Sequence, residues 1–155
     1  MLMYKKTSDF GLGYSFIEES MKKIKDSKAG GLLVIDSVHC FVMSCLENNS
    51  IENDAFQKSK KQAEIVNRIR WLAKVAGVAV LFLNHAADVI DRRRGSSGRS
   101  VVPALGHAWE LNIDENIYLT RKAEIRELSV IHSPKCPSAR KKRFRIESTG
   151  FTWIS

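Results

Sequence analysis

The chain has 155 residues, with 25 lysines and arginines against 17 acidic residues, a formal net charge of +8 and 44% hydrophobic content. That length suits one ordinary domain with a real core, and that apolar share excludes wholesale disorder. No apolar run reaches the roughly 20 residues of a membrane span, and the start does not read as a secretory leader, so no membrane association is expected. The basic balance points to a polyanionic partner such as nucleic acid or acidic protein. Cys40, Cys45 and Cys136 form an odd, sparse set, which fits a reduced intracellular compartment.

In chain order, Met1-Leu2-Met3-Tyr4-Lys5-Lys6 reads as a short strand. Phe16, Ile17, Ser20, Met21 and Ile24 then recur at helical spacing, and Lys28-Ala29-Gly30-Gly31 supplies a stop. Leu32-Leu33-Val34-Ile35 has no polar alternation, so it is expected to be a strand buried on both faces, as in a parallel sheet covered by helices. It ends in Asp36-Ser37, which places a carboxylate at the carboxyl edge of the sheet, where open α/β folds bind ligands. Cys40, just beyond, is expected in the core. Glu47 to Asp54 is a polar stretch expected to be an exposed loop.

A long helix is predicted from Asp54 to Ala76, with Ile65, Ile69, Leu72 and Ala76 as its buried stripe and Lys58, Lys61, Arg68 and Lys74 wet. Gly77 ends it. Val78 to Leu83 is a second buried strand, terminating at Asn84-His85 on the same edge. Ala86 to Val102, with Arg92-Arg93-Arg94-Gly95-Ser96-Ser97-Gly98-Arg99 at its centre, reads as a long mobile loop. The last third alternates strands (116–120, 128–131 and 143–146) with turns at Pro134, Pro137 and Thr149-Gly150. No internal repeat, linker or boundary stands out, so residues 1–155 read as a single partial domain.

The order of these pieces carries more than any one of them. Strand-Asp36-Ser37, helix, strand-Asn84-His85 and a basic loop lead to Pro103-Ala104-Leu105-Gly106-His107-Ala108-Trp109. Ser133-Pro134-Lys135-Cys136-Pro137, Phe144-Arg145-Ile146 and Thr149-Gly150-Phe151 follow. From Tyr14 to Phe151 the series resembles the ATPase core of the RecA-like DNA strand-exchange proteins, in particular the eukaryotic recombinase paralogues of double-strand break repair. The resemblance implies an α/β fold: a RecA-like core with a mostly parallel central sheet flanked by helices and a C-terminal antiparallel extension.

Roles follow from the same resemblance. Asp36 matches the Walker B carboxylate that positions Mg²⁺ and its waters, with Ser37 beside it; the alternative is an N-terminal cap on the next helix or turn. Asn84-His85 matches the polar pair in which the family usually has a γ-phosphate-sensing glutamine, and His85 is either a shorter substitute or a satisfied strand-end histidine. Pro103 matches a proline whose segment caps a neighbouring subunit's nucleotide. Arg92, Arg93, Arg94 and Arg99 fall in the second DNA-binding loop, where cations and glycine backbone suit single-stranded DNA; the alternative is a solvated loop. The first such loop, Glu47 to Asp54, is acidic where the family is usually basic. Lys141-Lys142-Arg143 is either an extension of the DNA track or a charged edge that discourages aggregation. His39, Cys40 and Cys45 lack the spacing of a structural zinc site, and no nucleophile motif has an identifiable base.

The phosphate-binding loop, G-x-x-x-x-G-K-[ST], is absent from the sequence. Its half of the core, with the strand bearing the catalytic glutamate, would precede this chain, as in a divergent paralogue or a sequence lacking its first half. No autonomous ATPase activity is then expected, and no cofactor for the isolated chain; ATP and Mg²⁺ would enter in a complex with a partner. The leading expectation is a nuclear accessory subunit in homologous recombination. It would bind a recombinase or another paralogue through Leu2, Tyr4, Phe16, Ile17 and Met21 and promote a filament on single-stranded DNA. The alternatives are a DNA-dependent ATPase subunit completed elsewhere and a basic DNA-binding module acting alone.

Overall fold

The computed structural model describes residues 3–27, 30–48, 55–90, 99–136 and 140–154. The chain forms two compact units, Met1–Asn112 and Ile113–Ser155. Among the described residues the fold is α/β, with one parallel pair of strands, one antiparallel pair and a four-stranded antiparallel sheet.

In the first unit, helix α1 (Phe10–Ser27) starts where the Asp9 carboxylate accepts the Leu12 N–H at 2.8 Å, the third amide of the helix. Its inward face is Gly13, Ile17, Ser20 and Met21. Strand β1 (Gly31–Asp36) follows so closely that a Cβ on Gly31 would lie 3.0 Å from Ile24, so glycine is what lets the strand pass under the helix. Helix α2 (Val38–Asn48) buries Val38, Val42, Cys45 and Leu46, and helix α3 (Ala55–Ala76) buries Gln62, Ile65, Val66, Ile69 and Ala73. Helix α1 packs on both α2 and α3. Across that contact Arg68 pairs with Glu18 at 3.3 Å and covers the Tyr14 ring at 5.0 Å. Gly77, at φ +67°, caps α3 in the left-handed region.

Strand β2 (Val78–Leu83) runs parallel to β1, in register from Gly31↔Val78 to Asp36↔Leu83. Strands β3 (Ala86–Ile90) and β4 (Arg99–Pro103) form an antiparallel pair, from Ala86↔Pro103 to Ile90↔Arg99. Helix α4 (His107–Glu110) brings Trp109 edge-on to Phe82, with ring centroids 5.4 Å apart.

The second unit is a meander of β5 (Asn116–Lys122), β6 (Ile125–His132), β7 (Lys141–Glu147) and β8 (Gly150–Ile154), paired antiparallel in that order. Glu127 accepts from Lys141 Nζ at 3.0 Å and lies 3.5 Å from Arg143 Nε. The Lys141 hydrogen bond is the main reason its carboxyl titrates below the ordinary 4.5.

Several expectations change. Residues 3–6 are not a strand, because neither edge of any described sheet takes them up. Strands β1 and β2 are covered on one face only: Leu33, Ile35, Val78, Val80 and Phe82 turn inward, while Leu32, Val34, Leu81 and Leu83 are exposed. Residues 86–90 and 99–103 are paired strands rather than loop, consistent with the β-branched Val89, Ile90, Val101 and Val102. Glu47 and Asn48 close α2, and 49–54 lie outside the described residues. On α3 the buried stripe centres on Ile65, Ile69 and Ala73, with Leu72 and Ala76 only half-buried. The C-terminal strands and the Thr149-Gly150 turn fall where the alternation predicted them.

Ile69 is 1% exposed and Leu111 75%. Ile69→Ala should therefore lower the unfolding free energy by about 2–5 kcal/mol in urea titrations, and Leu111→Ala by no more than about 0.5 kcal/mol; equal effects would refute the core as described. Glu127 contributes stability above its unfolded pKa that is lost as pH falls through its depressed folded value. Lys141→Met should flatten the loss of stability on acidification below about pH 4.5, and an unaltered acid profile would remove that pairing from the account.

Candidate functional site at the carboxyl edge of the parallel strands

The register decides what meets what. Because Asp36 stands opposite Leu83, the residues just past each strand, Ser37 on one and Asn84-His85 on the other, come to one edge. Ser37 is the N-cap of α2: its Oγ accepts the Cys40 N–H at 3.4 Å and its carbonyl accepts the Phe41 N–H at 3.2 Å. The capping role open to Asp36 thus belongs to its neighbour. Asp36 is exposed, and among the described residues no hydrogen bond or ion pair engages its carboxylate. The Asp36–Ser37 peptide is cis.

Helix α2 places His39 near His85, with ring centroids 6.4 Å apart and planes at 80°. Asn84 Oδ1 accepts the His85 N–H at 2.9 Å. Among the described residues, His39 Nδ1 and Asn84 Nδ2 are buried without a hydrogen-bond partner. Buried polar atoms are nearly always satisfied, so two beside a free carboxylate mark an edge suited to a polar ligand. No group of three or more His, Cys, Asp or Glu side chains among the described residues could hold a metal ion by itself.

Pro103 also reaches this edge. It pairs with Ala86 at the base of the β3–β4 hairpin, and the Ala104 N–H donates to the His85 carbonyl at 2.9 Å. A turn follows, in which the Gly106 N–H donates to the Pro103 carbonyl at 2.8 Å and Gly106 adopts φ +77°. Buried Gln62 donates from Nε2 to the Leu105 carbonyl at 3.4 Å, tying this turn to α3. Sequence reasoning did not single out Gln62. Its only signal was an amide at a core position of the helical stripe, four residues before Val66.

The structure brings Asp36, Ser37, Asn84, His85 and Pro103 together. Arg99 is the first residue of β4, paired with Ile90, and Arg92, Arg93 and Arg94 lie outside the described residues. The residues expected to meet a partner separate. Tyr4 is 80% exposed and Phe16 half-buried, whereas Ile17 and Met21 are buried and face the core of this unit; Leu2 is outside the described residues. Tyr4, Phe16, Ile17 and Met21 nonetheless line a cavity of about 950 Å³ with Leu32, Val34, Asp36, His39 and Cys40.

Cys40 is exposed rather than in the core, because the helical turn that buries Val38 and Val42 carries it outward. Ser37 Oγ lies 3.2 Å from its sulfur. Cys45 is buried, and that burial raises its thiol pKa above the usual 9.0. In the native chain iodoacetamide should therefore modify Cys40 well before Cys45, with Cys45 reacting only on unfolding; equal rates by peptide mapping would contradict the α2 register.

No protein-family model matches the chain. A curated relative, the DNA repair protein XRCC3 homolog of Arabidopsis thaliana, is 27% identical over 103 residues, covering 58% of this chain and 33% of that protein. The chain thus spans about a third of the length of that relative.

Proposed function

We propose that this chain is an accessory subunit of the RecA-like recombinase-paralogue class, acting in homologous recombination repair in the nucleus. It would bind a recombinase or another paralogue and promote its filament on single-stranded DNA. The observation that carries this reading is the bare face of the parallel pair. Leu32, Val34, Leu81 and Leu83 project from it, 60%, 47%, 46% and 41% exposed. Parallel strands occur almost only where both faces are covered and further strands flank them. Four large aliphatic side chains on one uncovered face therefore call for a complementary surface, and a RecA-like core completed in trans supplies one. The similarity to a DNA repair protein supports the same reading.

A second reading rests on Asp36. Its free carboxylate offers one hard oxygen ligand, and Mg²⁺ is commonly held by one or two carboxylates together with substrate phosphates. Asp36, with Asn84 and His85 as polar neighbours, fits a share of a Mg²⁺–ATP site whose phosphate-binding loop comes from elsewhere. Bound there, the ion would neutralise phosphate charge; this chain would orient it and hold Asn84 Nδ2 and His39 toward the nucleotide edge.

Co-expression with recombinase paralogues should recover a stable complex, and Leu32→Glu combined with Leu81→Glu should abolish co-purification. A monodisperse monomer that captures no paralogue would overturn the assembly reading. Asp36→Ala should leave the complex intact and weaken its Mg²⁺-dependent nucleotide binding at least tenfold; undiminished binding would remove Asp36 from the second reading.

A further inference from the structure

The four-stranded sheet of the second unit sorts its side chains by chemistry. Its register puts Ile117, Leu119, Arg121, Arg126, Leu128, Lys142, Phe144, Ile146, Phe151 and Trp153 on one face. Phe144 pairs across strands with Trp153, and Ile146 with Phe151. Phe144 is buried beneath the other two rings: Phe151 stacks on it at 4.8 Å, and Trp153 meets Phe151 edge-on at 4.7 Å. Phe151 and Trp153 themselves remain 53% and 51% exposed.

Charge is sorted too. Arg121, Arg126 and Lys142 share the aromatic face, while both carboxylates of the strands, Glu127 and Glu147, fall on the other. Lys142 Nζ stands 5.2 Å from the centroid of the Trp153 ring. At the far end, Arg121 and Arg126 lie against the β5–β6 turn. There Arg121 Nε donates to the Ala123 carbonyl at 2.9 Å and its guanidinium lies 3.9 Å from Glu124.

We propose that this face binds single-stranded nucleic acid, with bases stacked on Trp153 and Phe151 and phosphates drawn to Lys142 and Arg126. Flat π surfaces bind unpaired bases of any sequence, and adjacent cations track the backbone. A four-stranded antiparallel sheet with surface aromatics is a recurrent platform for that purpose. An apolar protein partner would account for the rings but not for Arg126 and Lys142 on a face that carries no strand carboxylate. The occupant indicated by charge complementarity is a polyanion with flat groups. This rests on the single-stranded DNA reading above and deepens it by naming a second surface, and it stands without Arg92, Arg93 and Arg94.

The test uses the full chain carrying Arg92→Gln, Arg93→Gln and Arg94→Gln, so that these arginines cannot supply binding. The probe is a fluorescein-labelled 30-mer of deoxythymidine, read by anisotropy across a salt series. The triply substituted chain should still bind it. Trp153→Leu, which keeps an apolar side chain but removes the flat ring, should weaken binding about 5- to 150-fold. Lys142→Gln should reduce the salt slope by about one phosphate contact. Neither change should affect capture of a paralogue, so this proposal and the assembly reading can fail separately. Loss of all binding on the triple arginine substitution, unchanged affinity after Trp153→Leu, or displacement by poly-glutamate as readily as by unlabelled oligonucleotide would overturn it; the last would mark an acidic protein ligand instead.

Discussion

Parallel pairing of β1 with β2, in register from Gly31↔Val78 to Asp36↔Leu83, sets where the groups of the candidate edge can stand. Two parallel strands cannot be joined by a tight turn, so the chain must cross over between them. Helices α2 and α3 lie in that crossover, and α3 packs against β2. Since both strands point the same way, their carboxyl ends coincide. Asp36-Ser37 and Asn84-His85, far apart in the chain, become neighbours there. A one-residue slip of β1 against β2 would exchange the faces of its side chains, turning Leu33 and Ile35 out and Leu32 and Val34 in.

Capping then refines the edge. Ser37 satisfies the first turn of α2 and leaves the Asp36 carboxylate unengaged among the described residues. The same turn aims His39 toward His85 and carries Cys40 to the surface. On the other side Gln62 and Gly106 shape the turn after Pro103, so that the base of the β3–β4 hairpin lies against His85. The second unit follows different physics. Its antiparallel strands can be joined by tight turns, and one face can stay in solvent. That freedom lets aromatics and cations occupy a face in the open.

Much of this was legible in the residues. Ile17, Met21, Ile65 and Ile69 announced their helices by spacing, Gly77 its cap, and the runs ending at Asp36 and Leu83 their strands. Helix α2 was legible but missed: Ser37 followed by Val38, Val42, Cys45 and Leu46 is a cap and an i, i+4, i+7, i+8 stripe. The arms of the hairpin were obscured by the glycine, serine and arginine between them. The continuous aliphatic run of β1 truthfully reported two apolar faces, but whether both are covered depends on what packs against them, which the run does not encode.

The local elements, the basic balance, the order of motifs and the place of one carboxylate just past an apolar strand are written in the residues. Those follow from side-chain periodicity, backbone preference and charge, each a property of a few neighbouring residues. It is the folded arrangement that puts Asp36, Asn84, His85 and Pro103 on one edge, turns Ile17 and Met21 inward but not Tyr4, and sets Phe151, Trp153 and Lys142 on a face that carries no strand carboxylate. These are matters of register and burial between distant segments, which depend on which surfaces exclude water together rather than on any residue alone.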